Sequence, residues 1–144
     1  MSDDYREFNR ASRERLAALI GRLGERTVVL PDGWTAAALL AHLAFWDRFA
    51  ASRLEKYVRD REPMVFLNDA FFDHINAAGL PQWTATPLGA AAADATDSAA
   101  AGDLLIANLS PDELAAVRAL GRPRLLERSG HRNEHLDRLE RALE

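Results

Sequence analysis

The chain has 144 residues, a formal net charge of −4 at pH 7, a hydrophobic share of 48% and a charged share of 28%. That is the make-up of one globular domain with its own core, and its acidic balance argues against nucleic acid as a partner, which needs a basic footprint. Cysteine is absent, which excludes disulfides, iron–sulfur clusters and thiolate metal sites, leaves any thiol chemistry to a thiol from outside, and fits a cytoplasmic setting.

The opening residues 1–10 are acidic and polar with no apolar stretch, unlike a signal peptide. No apolar run approaches the roughly 20 residues that span a bilayer, so no membrane contact is expected. A first helix is expected over 3–23, with Phe8, Ala11, Leu16, Ala17, Ile20 and Leu23 as its inward face and Gly24 as its stop. Pro31-Asp32-Gly33 is turn chemistry. Thr35 is then a good N-cap for a second helix over 36–57. Its apolar stripe is Ala38, Leu39, His42, Phe45, Trp46 and Phe49, so His42 is expected to face the core.

Between 61 and 87 the pattern is broken by Pro63, Gly79, Pro81 and Pro87, leaving a long connection with one short helix over 68–77. Its aromatics, Phe66, Phe71, Phe72 and Trp83, suit either a flap over a pocket or a loop anchored by its rings. A third long helix is expected over 88–109, rich in alanine, with Leu88, Leu104, Leu105, Ile106 and Leu109 for packing. Ser110 followed by Pro111 starts a short helix to about Leu120. Gly121-Arg122-Pro123 ends it, and a last helix is expected over 124–143. The whole is read as one all-α domain, 1–144.

The four histidines are His42, His74, His131 and His135. His131 and His135 stand four residues apart, which puts two imidazoles on one helical face. With His42 directed inward from another helix, where an unpaired imidazole is costly to bury, a shared metal ion explains all three. Three neutral imidazoles leave an open coordination position, the arrangement of a catalytic site rather than a closed structural one. Imidazole suits zinc, nickel, iron or copper, so ligand type does not decide the metal; zinc or nickel is the expectation, with iron or manganese as alternatives. Trp46, Asp47, His74 and Glu134 are further candidates for the pocket or for orienting a ligand, and Asp69 is an alternative acceptor behind an imidazole.

Gly33-Trp34-Thr35, then Leu39-Leu40-Ala41-His42-Leu43, then Trp46-Asp47, together with the closing His131…Glu134-His135-Leu136, resemble the motifs of the DinB/YfiT-like family. The resemblance spans nearly the whole chain. It implies an up-down-down-up four-helix bundle with a long connection between helices two and three, binding a divalent metal through His42, His131 and His135. It further implies a metal-dependent transferase acting on a small-molecule substrate, in which a low-molecular-weight thiol such as bacillithiol or mycothiol attacks an electrophile, or a related isomerase or hydrolase. A different class of reading is a non-catalytic metal- or small-molecule-binding homodimer. The string His131-Arg132-Asn133-Glu134-His135 also matches the H-x-x-E-H pattern of inverted zinc peptidases. Those enzymes need a further carboxylate downstream, for which Glu140 and Glu144 are available.

Overall fold

The computed structural model describes residues 4–144. It holds six α-helices: α1 (Tyr5–Leu23), α2 (Ala36–Asp60), α3 (Asp69–Ala85), α4 (Leu88–Ala107), α5 (Pro111–Ala119) and α6 (Ser129–Leu143). A 3-10 turn at Pro123–Leu125 precedes α6. The described residues form no strand beyond a single bridge between Val29 and Thr35. None of these helices is long and apolar enough to cross a membrane.

The face that α1 buries is the expected one in its second half, at Leu16, Ile20 and Leu23, but not in its first. Tyr5, Asn9, Ser12, Leu16, Leu19 and Leu23 point inward, while Phe8, Ala11 and Ala17 are exposed. The reason is that the first half of the inward stripe is polar. Asn9 and Ser12 are buried because they hydrogen-bond partners on other elements, so hydrophobic periodicity misplaces the face. The expected start at Asp3 lies outside the described residues. Gly24 ends the helix at φ +57, a conformation that favours glycine, with its N–H on the Ile20 carbonyl.

The turn into α2 uses the expected chemistry. Asp32 Oδ1 accepts from Trp34 N–H at 3.0 Å, and Thr35 Oγ1 accepts from Ala38 N–H at 3.0 Å, capping the helix. α2 is the central element, buried on nearly every side from Ala38 to Ala44, as expected of a helix that is apolar all round. It runs three residues beyond the expected 57 and stops where Arg61 adopts a left-handed φ of 53°.

The connection after α2 is only partly irregular. Residues 61–68 form a link, and α3 then continues through Gly79 and Pro81 to Ala85. Pro81 removes one helical N–H, but Pro81 and Ala77, whose carbonyl loses that partner, are both exposed. Gly79 is required by packing: a Cβ there would lie 2.4 Å from the Trp83 ring. Residues that ordinarily break helices are here accommodated inside one.

α4 packs extensively on α2, and it does so with small residues rather than leucines. Ala91, Ala95, Ala99 and Gly102 are buried, whereas Leu104 is 61% exposed. The absent side chains let the two backbones approach closely. α5 begins with a capping box between Ser110 and Glu113. The last helix starts at Ser129, five residues later than expected, because the chain first turns to bring the Arg128 and Ser129 amides onto Asn9 Oδ1 at 2.7 and 3.1 Å.

Two apolar clusters result. The larger joins Leu16, Leu19 and Leu23 of α1, much of α2, Ala91, Ala95 and Ala99 of α4, and Leu136 and Leu139 of α6, with Trp83 of α3 at its edge. The smaller gathers Tyr5, Leu54, Ile106, Val117, Leu125 and Leu126.

Candidate metal centre

His42 sits in the buried middle of α2 at 3% exposure, and His131 and His135 project from α6 one turn apart, both half-buried. His42 Nε2 and His135 Nε2 are 3.2 Å apart. One nitrogen from each of the three rings lies within 4.8 Å of the others. Two nitrogens bound tetrahedrally at about 2.0–2.1 Å from zinc are about 3.3 Å apart, so the His42–His135 pair already has a ligand-pair spacing. The group can hold a metal ion, and its donors are three imidazoles with no carboxylate among them.

Electrostatics keep these rings neutral. Burial, then the neighbouring His135 and Arg138, push the His42 pKa down to about 3. Burial, then His135 and Arg128, push His131 down to about 2. Burial and Arg138 lower His135 as well, while Glu134 and Asp32 oppose them. Neutral imidazoles keep the lone pairs that a metal needs. Nδ1 of His42 and Nδ1 of His131 are buried without hydrogen-bond partners, whereas Nδ1 of His135 faces the Arg138 guanidinium at 2.9 Å. Arg138 also pairs with Asp32 of the α1–α2 turn and lies 5.6 Å from the Trp34 ring centroid.

Three tryptophans surround His42. The centroids of Trp34, Trp83 and Trp46 lie 5.3, 5.1 and 6.5 Å from its ring. Trp83 comes from α3, and Trp46 Nε1 donates to Asn76 Oδ1 at 2.8 Å, tying α3 onto α2. Through Trp83, α3 therefore covers one side of His42, while Phe66 packs in the smaller cluster and Phe71 is exposed.

Of the other candidates, Trp46 is in place beside His42, but Asp47 does not orient an imidazole. Its two oxygens accept from Arg128 Nε at 3.1 Å and Arg132 Nε at 3.0 Å. His74 and Asp69 are exposed on α3, away from the three-ring group, and Glu134 is exposed on α6.

What the sequence reading missed is the charged cluster beside the histidines. Arg132, 1% exposed, lies between His131 and His135 in sequence. It donates twice to Asp103, at 3.0 and 2.9 Å, once to Asp47, and to Ser12 Oγ at 3.2 Å. Arg13 Nε adds a bond to Asp103 at 2.7 Å. One guanidinium thus joins α1, α2, α4 and α6. The available signal was its position on the stripe Arg132, Leu136, Leu139, an arginine in line with core leucines.

Comparison of the chain with protein-family models, with curated proteins and with solved structures finds no match.

Proposed function

We propose that the chain is a divalent-metal-binding protein of the DinB/YfiT-like kind, a four-helix bundle of α1, α2, α4 and α6 whose three histidines serve a thiol-transfer reaction. The observation that carries this reading is the 3.2 Å separation of His42 Nε2 and His135 Nε2, with a His131 nitrogen in the same group. The core shared by the four helices supports the bundle. A zinc- or nickel-class ion bound there would lower the pKa of a thiol or water and supply a nucleophile at neutral pH.

The chain's own residues have distinct tasks in such a reaction. His42, His131 and His135 remain neutral and hold the ion. Trp34, Trp46 and Trp83 keep water from the His42 side. Arg138 places a fixed positive charge next to His135, where it favours an anionic substrate group such as a thiolate. The chain has no cysteine, so the thiol belongs to a cosubstrate of bacillithiol or mycothiol type and the electrophile to a small organic molecule.

Metal analysis after reconstitution tests the first half. About one zinc or nickel per chain is expected, lost in His42→Ala and His131→Ala with the helical circular dichroism retained. Substoichiometric metal in the parent protein overturns the site. Incubation of loaded protein with a panel of thiols and electrophiles tests the second half. No conjugation by an intact site removes the transferase reading and leaves metal binding standing.

A further inference from the structure

α2 continues well past His42, and its later turns carry Phe49, Arg53, Lys56 and Tyr57. With the link of residues 61–68 they line an open hollow of about 240 Å³. The cavity is separate from the histidines: Arg53 lies eleven residues beyond His42 on the same helix, about 16 Å along its axis. Phe49, Tyr57, Met64 and Val65 make its walls largely apolar.

Two of the lining residues are cations, in unlike situations. Lys56 already has a counter-charge, Glu62, at 2.9 Å. Arg53 has none. Its guanidinium is held between Phe49 and Phe66, 5.0 and 5.6 Å from their centroids, and Nη1 donates to the Val65 carbonyl at 2.9 Å. Nε is buried without a partner, and no carboxylate among the described residues bonds this side chain.

Its neighbours add to the positive charge. Arg122 stacks on the same Phe66 ring at 4.2 Å. Burial, then Arg128 and Arg122, lower the Arg53 pKa from its ordinary value, yet arginine stays charged. Arg128 has Asp47 as its counter-charge, whereas nothing answers Arg53. A half-buried guanidinium in a chain of net charge −4 thus has Nη1 engaged and Nε closed off, and keeps Nη2 as the donor that no hydrogen bond occupies, beside an apolar hollow.

We propose that this cavity binds a small monocarboxylate with an apolar body, its carboxylate paired with Arg53 under the added field of Arg122 and its body against Phe49, Met64 and Val65. A guanidinium N–H donates a charge-assisted hydrogen bond to a carboxylate, stronger than one to a neutral amide oxygen. The volume lies just under the roughly 300 Å³ at which drug-sized sites begin, which keeps the ligand small.

Calorimetric or NMR titration of the metal-free protein with benzoate, phenylacetate, neutral benzamide and inorganic phosphate tests this. At least one of the two acids is expected to bind saturably. Benzamide and phosphate should bind about tenfold or more weakly, and Arg53→Met should weaken the acid by a similar factor. Arg122→Gln should weaken it less, and His42→Ala should leave it unchanged, which separates this site from the metal reading. If Arg53→Met loses its helical circular dichroism, Arg53→Lys keeps the charge but not the Nη2 donor held between the two rings, and should bind several-fold more weakly. Absence of saturable binding by both acids, equal binding of benzamide or phosphate, or indifference to the folded Arg53 variant overturns the proposal.

Discussion

Arg138 Nη1 lies 2.9 Å from His135 Nδ1, and because a guanidinium has only donors, the imidazole nitrogen is the acceptor. A neutral His135 then carries its proton on Nε2, the nitrogen that faces His42 Nε2 at 3.2 Å. Ligation of a metal through that nitrogen needs the other tautomer, with a proton on Nδ1 that would meet the Arg138 donor head-on. Arg138 therefore competes with a cation twice, by its charge and by its hydrogen bond.

Arg138→Met is accordingly expected to tighten zinc or nickel binding, by about tenfold if one charge-assisted hydrogen bond is at stake. Competition against a chromophoric chelator measures this. Unchanged or weaker affinity would show that Arg138 does not oppose the metal.

The histidines also set a pH dependence. The folded chain holds His42 at about 3 and His131 at about 2, below the ordinary 6.5. As pH falls below 6.5 the unfolded chain takes up protons that the folded chain refuses. Stability of the metal-free protein is therefore full above about pH 6.5 and lost progressively toward pH 3, at about 1.4 kcal/mol per pH unit for each group. Urea unfolding across this range should show the slope, and His131→Gln should flatten it. A midpoint that does not move between pH 7, where this stability is full, and pH 5, inside the window set by these shifts, would contradict the neutral burial of these rings.

Arg132 is expected to be the costliest charge to remove. Arg132→Met leaves Asp47 and Asp103 buried without their shared counter-charge. Breaking one side of a buried ion cluster costs about 3–5 kcal/mol, and urea denaturation at neutral pH reads it. A loss under about 1 kcal/mol would mean that Arg128 and Arg13 suffice for the two carboxylates.

Gly79→Ala tests the coupling of α3 to the histidines. The new Cβ would come within 2.4–2.7 Å of the Trp83 ring, which must shift and so change its contact with His42. A destabilisation of about 1–3 kcal/mol is expected, together with altered tryptophan fluorescence on metal addition. A fluorescence response identical to the parent's would show that Trp83 is not held by this contact.

Some of this architecture was legible in the residues and some was hidden, for physical reasons. His42 stood on an apolar stripe and His131/His135 on one helical face, so periodicity alone brought the three rings to the same side of their helices. Thr35 and Ser110–Pro111 announced helix starts because capping depends on local side chains. Phe8 misled because the face of α1 is decided by the distant partners of Asn9 and Ser12. Gly79 and Pro81 misled because a ring packed over one and the exposed setting of the other are tertiary facts. Asp47 was singled out for the wrong partner: its acidity was visible, but the arginines that claim it lie more than eighty residues away.

Among the residues of α3, Trp83 alone is buried, and the helix packs chiefly on α2. Its backbone amides are therefore expected to exchange with solvent deuterium well before those of α2, in an opening that leaves the main core intact. Trp83 would leave His42 in the same event. The time needed for a molecule to reach the innermost histidine then depends on how often this one helix lifts, and mutations on its outer surface become a way to alter arrival rates without touching the histidines themselves.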